Sequence, residues 1–358
     1  MRLILPNPRG FCAGVRMAID VVDRVVALYP GKTIYVYHEI VHNRHVVGRF
    51  KDQGVVFVED LGDVPQGEVV VFSAHGIPPE IRKQADDRDL VTIDATCPLV
   101  TKVHSEAVRY ARQGYQILLI GHENHQEVVG TRGEAPEATL VVESPEHAKA
   151  IKVKDETRLV YLTQTTLSTD DAGAIIRVLK ERFPDIHEPS EPDICYATTN
   201  RQHAVRQIAP EVDVVLVVGS RNSSNSVRLT EIARNVGTDA HLLDDASELQ
   251  DDWFRRGAEA SVLITAGASA PEDLVARICK TLIDTHGGTL EQWDIVDESI
   301  EFVLPVALRR LMKTEGVEVG TGTVTVDSGV GSSEMYGAVP LTVSAKSLPP
   351  TLADGIGL

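Results

Sequence analysis

The stretch DVVLVVGSRNSSNSVRLTEIARNVG, residues 213–237, decides the fold class because it contains a strand, a polar loop and a helix in order. Its first part, DVVLVVG, is a continuous apolar run of strand length. Such a run is typical of a strand in a parallel sheet that is covered on both faces. The polar GSRNSSNS follows, and VRLTEIARNVG then shows the apolar spacing of a helix.

The same order recurs along the chain, where apolar runs alternate with helix-patterned stretches, as in parallel α/β units. We therefore predict three similar α/β domains, at 1–97, 98–195 and 196–309. Residues 310–358 are rich in Gly, Ser, Thr and Pro and predict a flexible or weakly structured extension, in which EVGTGTVTV is a candidate strand. The strand candidates before it are RLILP, TIYVY, VVFVE, EVVVFS, QILLIG, TLVVE, RLVYLTQ, DVVLVVG and SVLITAG.

Composition limits the function classes. The chain has 358 residues, which is more than one core usually supports, and 43% of them are hydrophobic. Its net charge of −17 argues against a nucleic-acid-binding surface, so any phosphate site must be local. No apolar segment reaches the roughly 20 residues that a membrane helix needs, and no signal-peptide pattern follows Met1. We expect a cytoplasmic protein without a membrane partner.

Polar motifs begin where several of the predicted strands end. In open α/β sheets, ligands bind beyond the carboxyl ends of the strands, so these motifs predict one shared site. The serines and amides in them can also serve only as helix caps, and that alternative stays open for each motif alone. The motifs are SAHG at 73–76, GHENHQE at 121–127, TQTTLS at 163–168, GSRNSSNS at 219–226 and TAGASAP at 265–271.

Three cysteines, Cys12, Cys97 and Cys195, lie in turn-prone settings far apart in sequence, and none forms a Cys-x-x-Cys pair. They are either unrelated buried thiols or ligands of one metal centre. Distant single thiolates favour an iron–sulfur cluster, although a zinc site of three cysteines and one histidine stays open. At helix N-termini we expect lowered thiol pKa values. Cys279, in EDLVARICKTLID, is assigned to the core or to a helix face.

The remaining candidates suit an anionic ligand and proton transfer. Histidine can neutralise an anion and pass protons near neutral pH, and a shielded glutamate can deliver a proton. A threonine hydroxyl can orient or relay, and hydroxyls or amides before a helix can bind phosphate. The candidates are His42, His75 and His125, the acid Glu127, Thr165, and the phosphate ligands Ser223, Ser224, Asn225 and Ser269.

Taken in order, NPRGFCAGV, HEIVHNR, SAHG, DATCPLVTKVH, TQTTLS, DICYATTNRQ, VVGSRNSSNS and TAGASAP resemble the 4-hydroxy-3-methylbut-2-enyl diphosphate reductase (IspH/LytB) family, over residues 1 to about 309. The resemblance implies a trefoil-like arrangement of three α/β domains around a [4Fe–4S] cluster. Cys12, Cys97 and Cys195 would bind three irons and leave the fourth open.

The resemblance also implies the reaction, which is the last step of the non-mevalonate isoprenoid pathway. The hydroxyl of (E)-4-hydroxy-3-methylbut-2-enyl diphosphate would be removed reductively to give isopentenyl and dimethylallyl diphosphates, with electrons from a donor such as ferredoxin or flavodoxin. Glu127, Thr165 and His125 would be catalytic. His42, His75, His125, Thr165, Ser223, Ser224, Asn225 and Ser269 would bind the substrate.

Two features depart from the family pattern. Gln126 stands where family members commonly have proline, and about fifty residues follow Arg309, where the pattern normally ends. Two other function classes stay open. An iron–sulfur hydro-lyase would use the same thiolates to remove water from a phosphorylated substrate without net reduction, and a non-redox phosphate-binding module would need only the serine and asparagine loops. The motifs predict no particular oligomeric state.

Overall fold

The computed structural model describes residues 1–317, 323–325 and 344–346. Strands and helices alternate through most of this part. None of its helices has the length and apolar character needed to cross a membrane. The helices are α1 (Ala13–Leu28), α2 (Arg44–Asp52), α3 (Pro79–Asp87), α4 (Pro98–Arg112), α5 (Gln126–Glu134), α6 (Pro145–Ala150), α7 (Thr169–Arg182), α8 (Tyr196–Ile208), α9 (Ser224–Asn235), α10 (Glu272–His286) and α11 (Val306–Thr314).

The described strands form three parallel sheets and one antiparallel pair. The six-stranded sheet has the order β10 (Asp239–Leu243), β9 (Val214–Val218), β11 (Ser261–Ala266), β1 (Arg2–Asn7), β12 (Thr289–Asp294), β15 (Ser344–Lys346). The four-stranded sheet has the order β3 (Val56–Val58), β2 (Tyr35–Tyr37), β4 (Val69–Phe72), β5 (Val91–Asp94). The three-stranded sheet has the order β7 (Thr139–Val142), β6 (Gln116–Ile120), β8 (Leu159–Thr163), and β13 (Glu301–Val303) pairs with β14 (Thr323–Thr325).

The predicted α/β class with parallel sheets is confirmed, and each predicted strand run before residue 310 contains a strand. Strands β6 and β9 are buried at every position, as expected for sheets covered on both faces. The sequence did not reveal β5, β10, β12 or β13. These strands carry polar residues, such as the buried Glu291 of β12, and depend on their neighbours in the sheet.

The first strand, β1, does not pair with the other strands of the predicted 1–97 domain. β1 lies between β11 and β12 and is parallel to both, so it belongs to the six-stranded sheet of the last third of the chain. Arg2 forms an ion pair with Glu291 of β12 at 3.1 Å. The cause is the apolar character of β1. Its interior residues are buried, as a strand in the middle of a parallel sheet requires, because helices cover both faces of such a sheet.

The C-terminal boundary also differs from the expectation, because ordered structure continues past residue 310. Helix α11 ends at Thr314, and its buried Leu308 and Met312 share one core with α1. Within EVGTGTVTV, the strand β14 pairs with β13. Most of the predicted extension lies outside the described residues.

Each sheet supports one helix that begins at a cysteine. Val22 of α1 packs in the core of the four-stranded sheet, Ala107 of α4 packs on the three-stranded sheet, and Val205 of α8 packs on the six-stranded sheet. The apolar side of each helix is thereby fixed to a different sheet. Three separately anchored helices can therefore direct their N-termini towards one point.

Candidate functional site

A cavity lies where the loops of the three sheets meet. Its walls include every residue that the sequence predicted for the site. Cys279 lies elsewhere, buried in the core on α10. The predicted residues that line the cavity are Cys12, Cys97, Cys195, His42, His75, His125, Glu127, Thr165, Ser223, Ser224, Asn225 and Ser269.

Five helices begin at this cavity. Their N-cap residues, which all line it, are Cys12 of α1, Cys97 of α4, His125 of α5, Cys195 of α8 and Ser223 of α9. A helix N-terminus presents unpaired N–H groups and about half a positive charge. Five such ends supply a local positive potential in a chain whose net charge is −17.

Helix α1 contacts both of the other cysteine-bearing helices, α4 and α8, at their first turns. Gly14 of α1 directly faces the Cys97 sulfur, at a distance that leaves no room for a larger residue. The backbone N–H of Ala13 donates to the Tyr196 hydroxyl at 3.1 Å, next to Cys195. Among the residues that the structure describes, no three His, Cys, Asp or Glu side chains are arranged to hold a single metal ion.

Burial raises the pKa of all three cavity thiols, and that of Cys195 reaches about 11. The expected lowering at helix N-termini is therefore wrong for the free thiols, because desolvation of the thiolate outweighs the favourable backbone N–H groups. The guanidinium of Arg201 opposes this effect at Cys12. A cation in the cavity would favour the thiolate forms and would be bound by them.

Arg201 is fully buried and connects the Cys12 loop to α8. Its guanidinium donates to the Gly10 carbonyl at 2.8 Å, to the Ala197 carbonyl at 3.0 Å and to Glu298 at 3.0 Å. Gly10 has a φ of +64°, a left-handed conformation that favours glycine. Arg201 and Glu298 were not predicted as part of the site. The arginine lies in an ordinary helical pattern, and its partner is 97 residues away.

Three imidazole rings form one wall of the cavity. His42 stacks on His75 with ring centroids 4.0 Å apart, and His125 meets these rings edge-on at 5.8 and 6.2 Å. Burial, followed by the nearby rings, places the pKa of His75 well below its usual value and that of His125 at about 3. These two rings are therefore neutral at neutral pH.

The neutral His125 ring has a defined tautomer. The backbone N–H of Glu127 donates to its Nδ1 at 3.2 Å, so the ring proton is on Nε2. His75 has its Nδ1 3.4 Å from the Ser73 hydroxyl. His125 therefore presents an N–H donor and needs no positive charge to bind an anion.

The serine and asparagine loop both caps a helix and lines the cavity. Ser223 accepts from the Ser226 N–H at 3.4 Å, and the Ser269 hydroxyl lies 3.3 Å from Ser223 and donates to the His42 carbonyl at 2.9 Å. Neither the amide nitrogen nor the amide oxygen of the buried Asn225 has a partner in the described part of the chain. A buried amide without partners indicates that a ligand or water completes this site.

Glu127 and Thr165 form a buried pair in the cavity wall. The Thr165 hydroxyl lies 2.9 and 3.1 Å from the two carboxylate oxygens, and the Thr165 N–H donates to Oε2 at 3.0 Å. Burial raises the pKa of Glu127, while the two Thr165 bonds partly lower it. Burial thus favours the protonated carboxyl, which is the form that can donate a proton.

Apolar groups complete the cavity and were not predicted. They include Val15, Leu99 and Val100 from helices α1 and α4, and Phe302 from β13. Phe302 reaches the cavity through tertiary packing, for which its sequence neighbours give no signal. The cavity therefore has a donor-rich side for an anion and an apolar side, beside the thiols, for a hydrocarbon.

Comparison with known proteins agrees with this geometry. The sequence model of the LytB protein family matches residues 3–283. A 4-hydroxy-3-methylbut-2-enyl diphosphate reductase from Rhodopirellula baltica is 52% identical over 309 residues, which cover 86% of this chain and 96% of that protein. One from Acidothermus cellulolyticus is 50% identical over 316 residues, which cover 88% of this chain and 92% of that protein.

Solved structures show the same relationship. The E-1-hydroxy-2-methyl-but-2-enyl-4-diphosphate reductase from Plasmodium falciparum superposes with a TM-score of 0.85 at 38% identity, covering 88% of this chain and 99% of that one. An (E)-4-hydroxy-3-methyl-but-2-enyl diphosphate reductase, described as the terminal enzyme of the non-mevalonate pathway, gives a TM-score of 0.56 at 32% identity, covering 79% and 99%. The chain therefore belongs to the LytB family of 4-hydroxy-3-methylbut-2-enyl diphosphate reductases.

Proposed function

We propose that the chain reduces (E)-4-hydroxy-3-methylbut-2-enyl diphosphate to isopentenyl and dimethylallyl diphosphates by means of a [4Fe–4S] cluster. One observation carries the proposal: three thiols, each at the start of a helix on a different sheet, line the same cavity as a donor-rich anion site. The relatives of this chain carry the name of that activity.

The residues present fit such a cluster. Thiolates are the usual iron–sulfur ligands, and a four-iron cube binds them at separate iron corners, so the sulfur atoms need not approach one point. Cys12, Cys97 and Cys195 would hold three irons, and the helix N-termini would offset the negative charge of the thiolates. When bound, the cluster would supply single electrons and one open, Lewis-acidic iron.

The diphosphate would lie on the donor-rich wall. Three sets of donors suit an anion: the amide of Asn225, which has no partner in the described part of the chain, the N–H groups at the start of α9 and the Nε2–H of His125. His42, His75, Ser223, Ser224 and Ser269 would complete the binding site. Anchoring the charged end holds the five-carbon chain along the apolar wall and brings its hydroxyl beside Thr165.

The buried pair would serve proton transfer. Each turnover consumes two electrons and two protons, and the hydroxyl leaves as water. Thr165 would orient that hydroxyl, while Glu127, whose pKa is raised by burial, would donate a proton to its oxygen. Exclusion of bulk water by the apolar wall keeps the proton path limited to these side chains.

The deciding experiment is anaerobic iron and sulfide analysis of the reconstituted protein, followed by turnover with a reduced viologen. We expect about four irons and four sulfides per chain and oxidation of viologen that depends on the substrate. Loss of water without viologen oxidation would identify a hydro-lyase instead, and diphosphate binding without iron would identify a binding module. A ferredoxin or flavodoxin is the class of donor that we expect in the cell.

A further inference from the structure

Glu39 does not line the cavity; it lies in the same loop as His42 and connects that loop to a second loop of the anion site. Its Oε2 is 3.3 Å from Nδ1 of His42 and accepts from the Asn222 side-chain amide at 2.7 Å. His42 belongs to the loop after β2, whereas Asn222 immediately precedes Ser223 in the loop after β9. One carboxylate thus contacts the two loops, from different sheets, that together form the donor-rich wall.

We propose that Glu39 is a positioning residue that turns Nδ1 of His42 outward to its own carboxylate and so directs Nε2 of His42 at the bound diphosphate. The proposal rests on the proposed function. The geometry supports it, because the ring is held on its outer side by Glu39 and on one face by His75, whose centroid is 4.0 Å away. When the Nδ1–H of an imidazole donates to a carboxylate, Nε2 is the nitrogen left for a ligand, and it donates to a phosphate oxygen when the ring also carries the second proton.

The three rings differ in their Nδ1 partners. In the described part of the chain, His125 Nδ1 accepts a backbone N–H and His75 Nδ1 lies beside the Ser73 hydroxyl, whereas His42 Nδ1 faces a carboxylate. The pKa of Glu39 is lowered, and the largest cause is its hydrogen bond to His42. The carboxylate is therefore ionised at neutral pH. A carboxylate stabilises a protonated imidazole, and a charge-assisted donor binds phosphate more strongly than a neutral one.

The test compares Glu39→Gln with the wild type as the cluster-loaded enzyme. Glutamine keeps an oxygen for the Asn222 amide but removes the negative charge that orients the ring. We expect KM for the substrate to rise about tenfold while kcat stays within about twofold, because a bond to a charged group is lost from the binding site alone. Glu59→Gln is the matched control. Glu59 pairs with His38 Nδ1 at 2.5 Å away from the cavity lining, and this change should leave both constants unaltered.

Two further measurements keep the test independent of turnover. Inorganic pyrophosphate should bind Glu39→Gln about tenfold more weakly by calorimetry, and the nitrogen chemical shifts of His42 in the pyrophosphate complex should show that Nδ1 no longer holds its proton. In the double variant with His42→Ala, Glu39→Gln should add no further loss of pyrophosphate affinity. Unchanged affinity in Glu39→Gln, or additive losses in the double variant, would overturn the positioning role. If the wild type itself bound pyrophosphate but reduced no substrate, the proposed function would fail and the role of Glu39 would be judged on binding alone.

Discussion

A Cβ atom on Gly14 would lie 2.5 Å from the sulfur of Cys97, which is closer than any real side-chain contact. Gly14 is in the first turn of α1, and Cys97 is the N-cap of α4, so the absence of a side chain at position 14 sets how closely these two helices approach. The same approach keeps Cys12 and Cys97 on one cavity.

We therefore predict that Gly14→Ala displaces the Cys97 sulfur and impairs cluster assembly. The iron and sulfide content after anaerobic reconstitution should fall well below that of the wild type. Gly48→Ala provides a matched control, because Gly48 is also helical but has open space around its would-be Cβ. That change should keep the iron content and stabilise the protein by about 0.5–1 kcal/mol. Full iron loading in Gly14→Ala would contradict the steric argument.

Each of the three single variants Cys12→Ala, Cys97→Ala and Cys195→Ala should fail to hold a stable four-iron cluster, because the two remaining thiolates cannot keep it in place. The absorbance of the cluster and the iron content measure this directly. Cys279→Ala is the control, because Cys279 is buried in the core on α10 and packs as a small hydrophobe. It should keep the cluster with only a modest loss of stability.

Glu127→Gln should keep the cluster and bind substrate but lower kcat by about 10²–10⁴-fold, the usual contribution of a positioned general acid. Glutamine preserves the shape of the side chain and removes the acidic proton. Steady-state kinetics with a saturating reductant test this. Glu123→Gln changes an exposed residue of the same loop and should be neutral. Near-normal turnover of Glu127→Gln would show that protons reach the substrate by another path.

Thr165→Ala should change the pH dependence of kcat as well as its size. The Thr165 hydroxyl lowers the pKa of Glu127, so its removal lets that pKa rise further. A general acid loses activity as the pH rises through its pKa, and the alkaline limb of the profile should therefore move to higher pH. Thr165→Ser retains the hydroxyl and should restore the wild-type profile. If the alkaline limb of the Thr165→Ala profile stayed at the wild-type pH, Glu127 would not be the group whose titration limits kcat.

The stability of the metal-free chain should fall as the solution becomes acidic. Folding lowers the pKa of His125 from 6.5 to about 3, so between these values the unfolded chain binds more protons than the folded one. The free energy of unfolding must then decrease as the pH drops from 7 towards 4. Urea denaturation at several pH values measures the slope. His125→Asn cannot titrate and should show a shallower slope, and an equal slope would refute this source of acid sensitivity.

The sequence predicted the parts of the site that are local in the chain. Each polar motif directly follows its own apolar strand or begins its own helix, as with Ser223 after β9, so the order strand, motif and helix was sufficient to predict the parallel sheets and the meeting of their loops. The residues around the cysteines likewise indicated loops or helix starts, and in the structure helices begin at Cys12, Cys97 and Cys195.

Features that depend on contacts between residues far apart in the sequence could not be predicted from local motifs. The place of β1 between two strands of the last third of the chain, the Arg201–Glu298 pair and the approach of Phe302 are all set by tertiary packing. The direction of the thiol pKa values was wrong for a related reason. Helix position can be recognised locally, but the burial that outweighs it is a property of the assembled cavity.

The position of β1 has a consequence for how the protein is made. β1 is synthesised long before its two partner strands, β11 and β12, which end at residues 266 and 294. The loop that follows β1 depends on the same region, since Gly10 donates to Ala266 and Cys12 to Ala268. Until synthesis has passed Ala268, Cys12 has no fixed location, and the apolar β1 has no partner strand. Insertion of a cluster must therefore follow translation of most of the family region, and a chain truncated before β11 would present Cys12 without a fixed site.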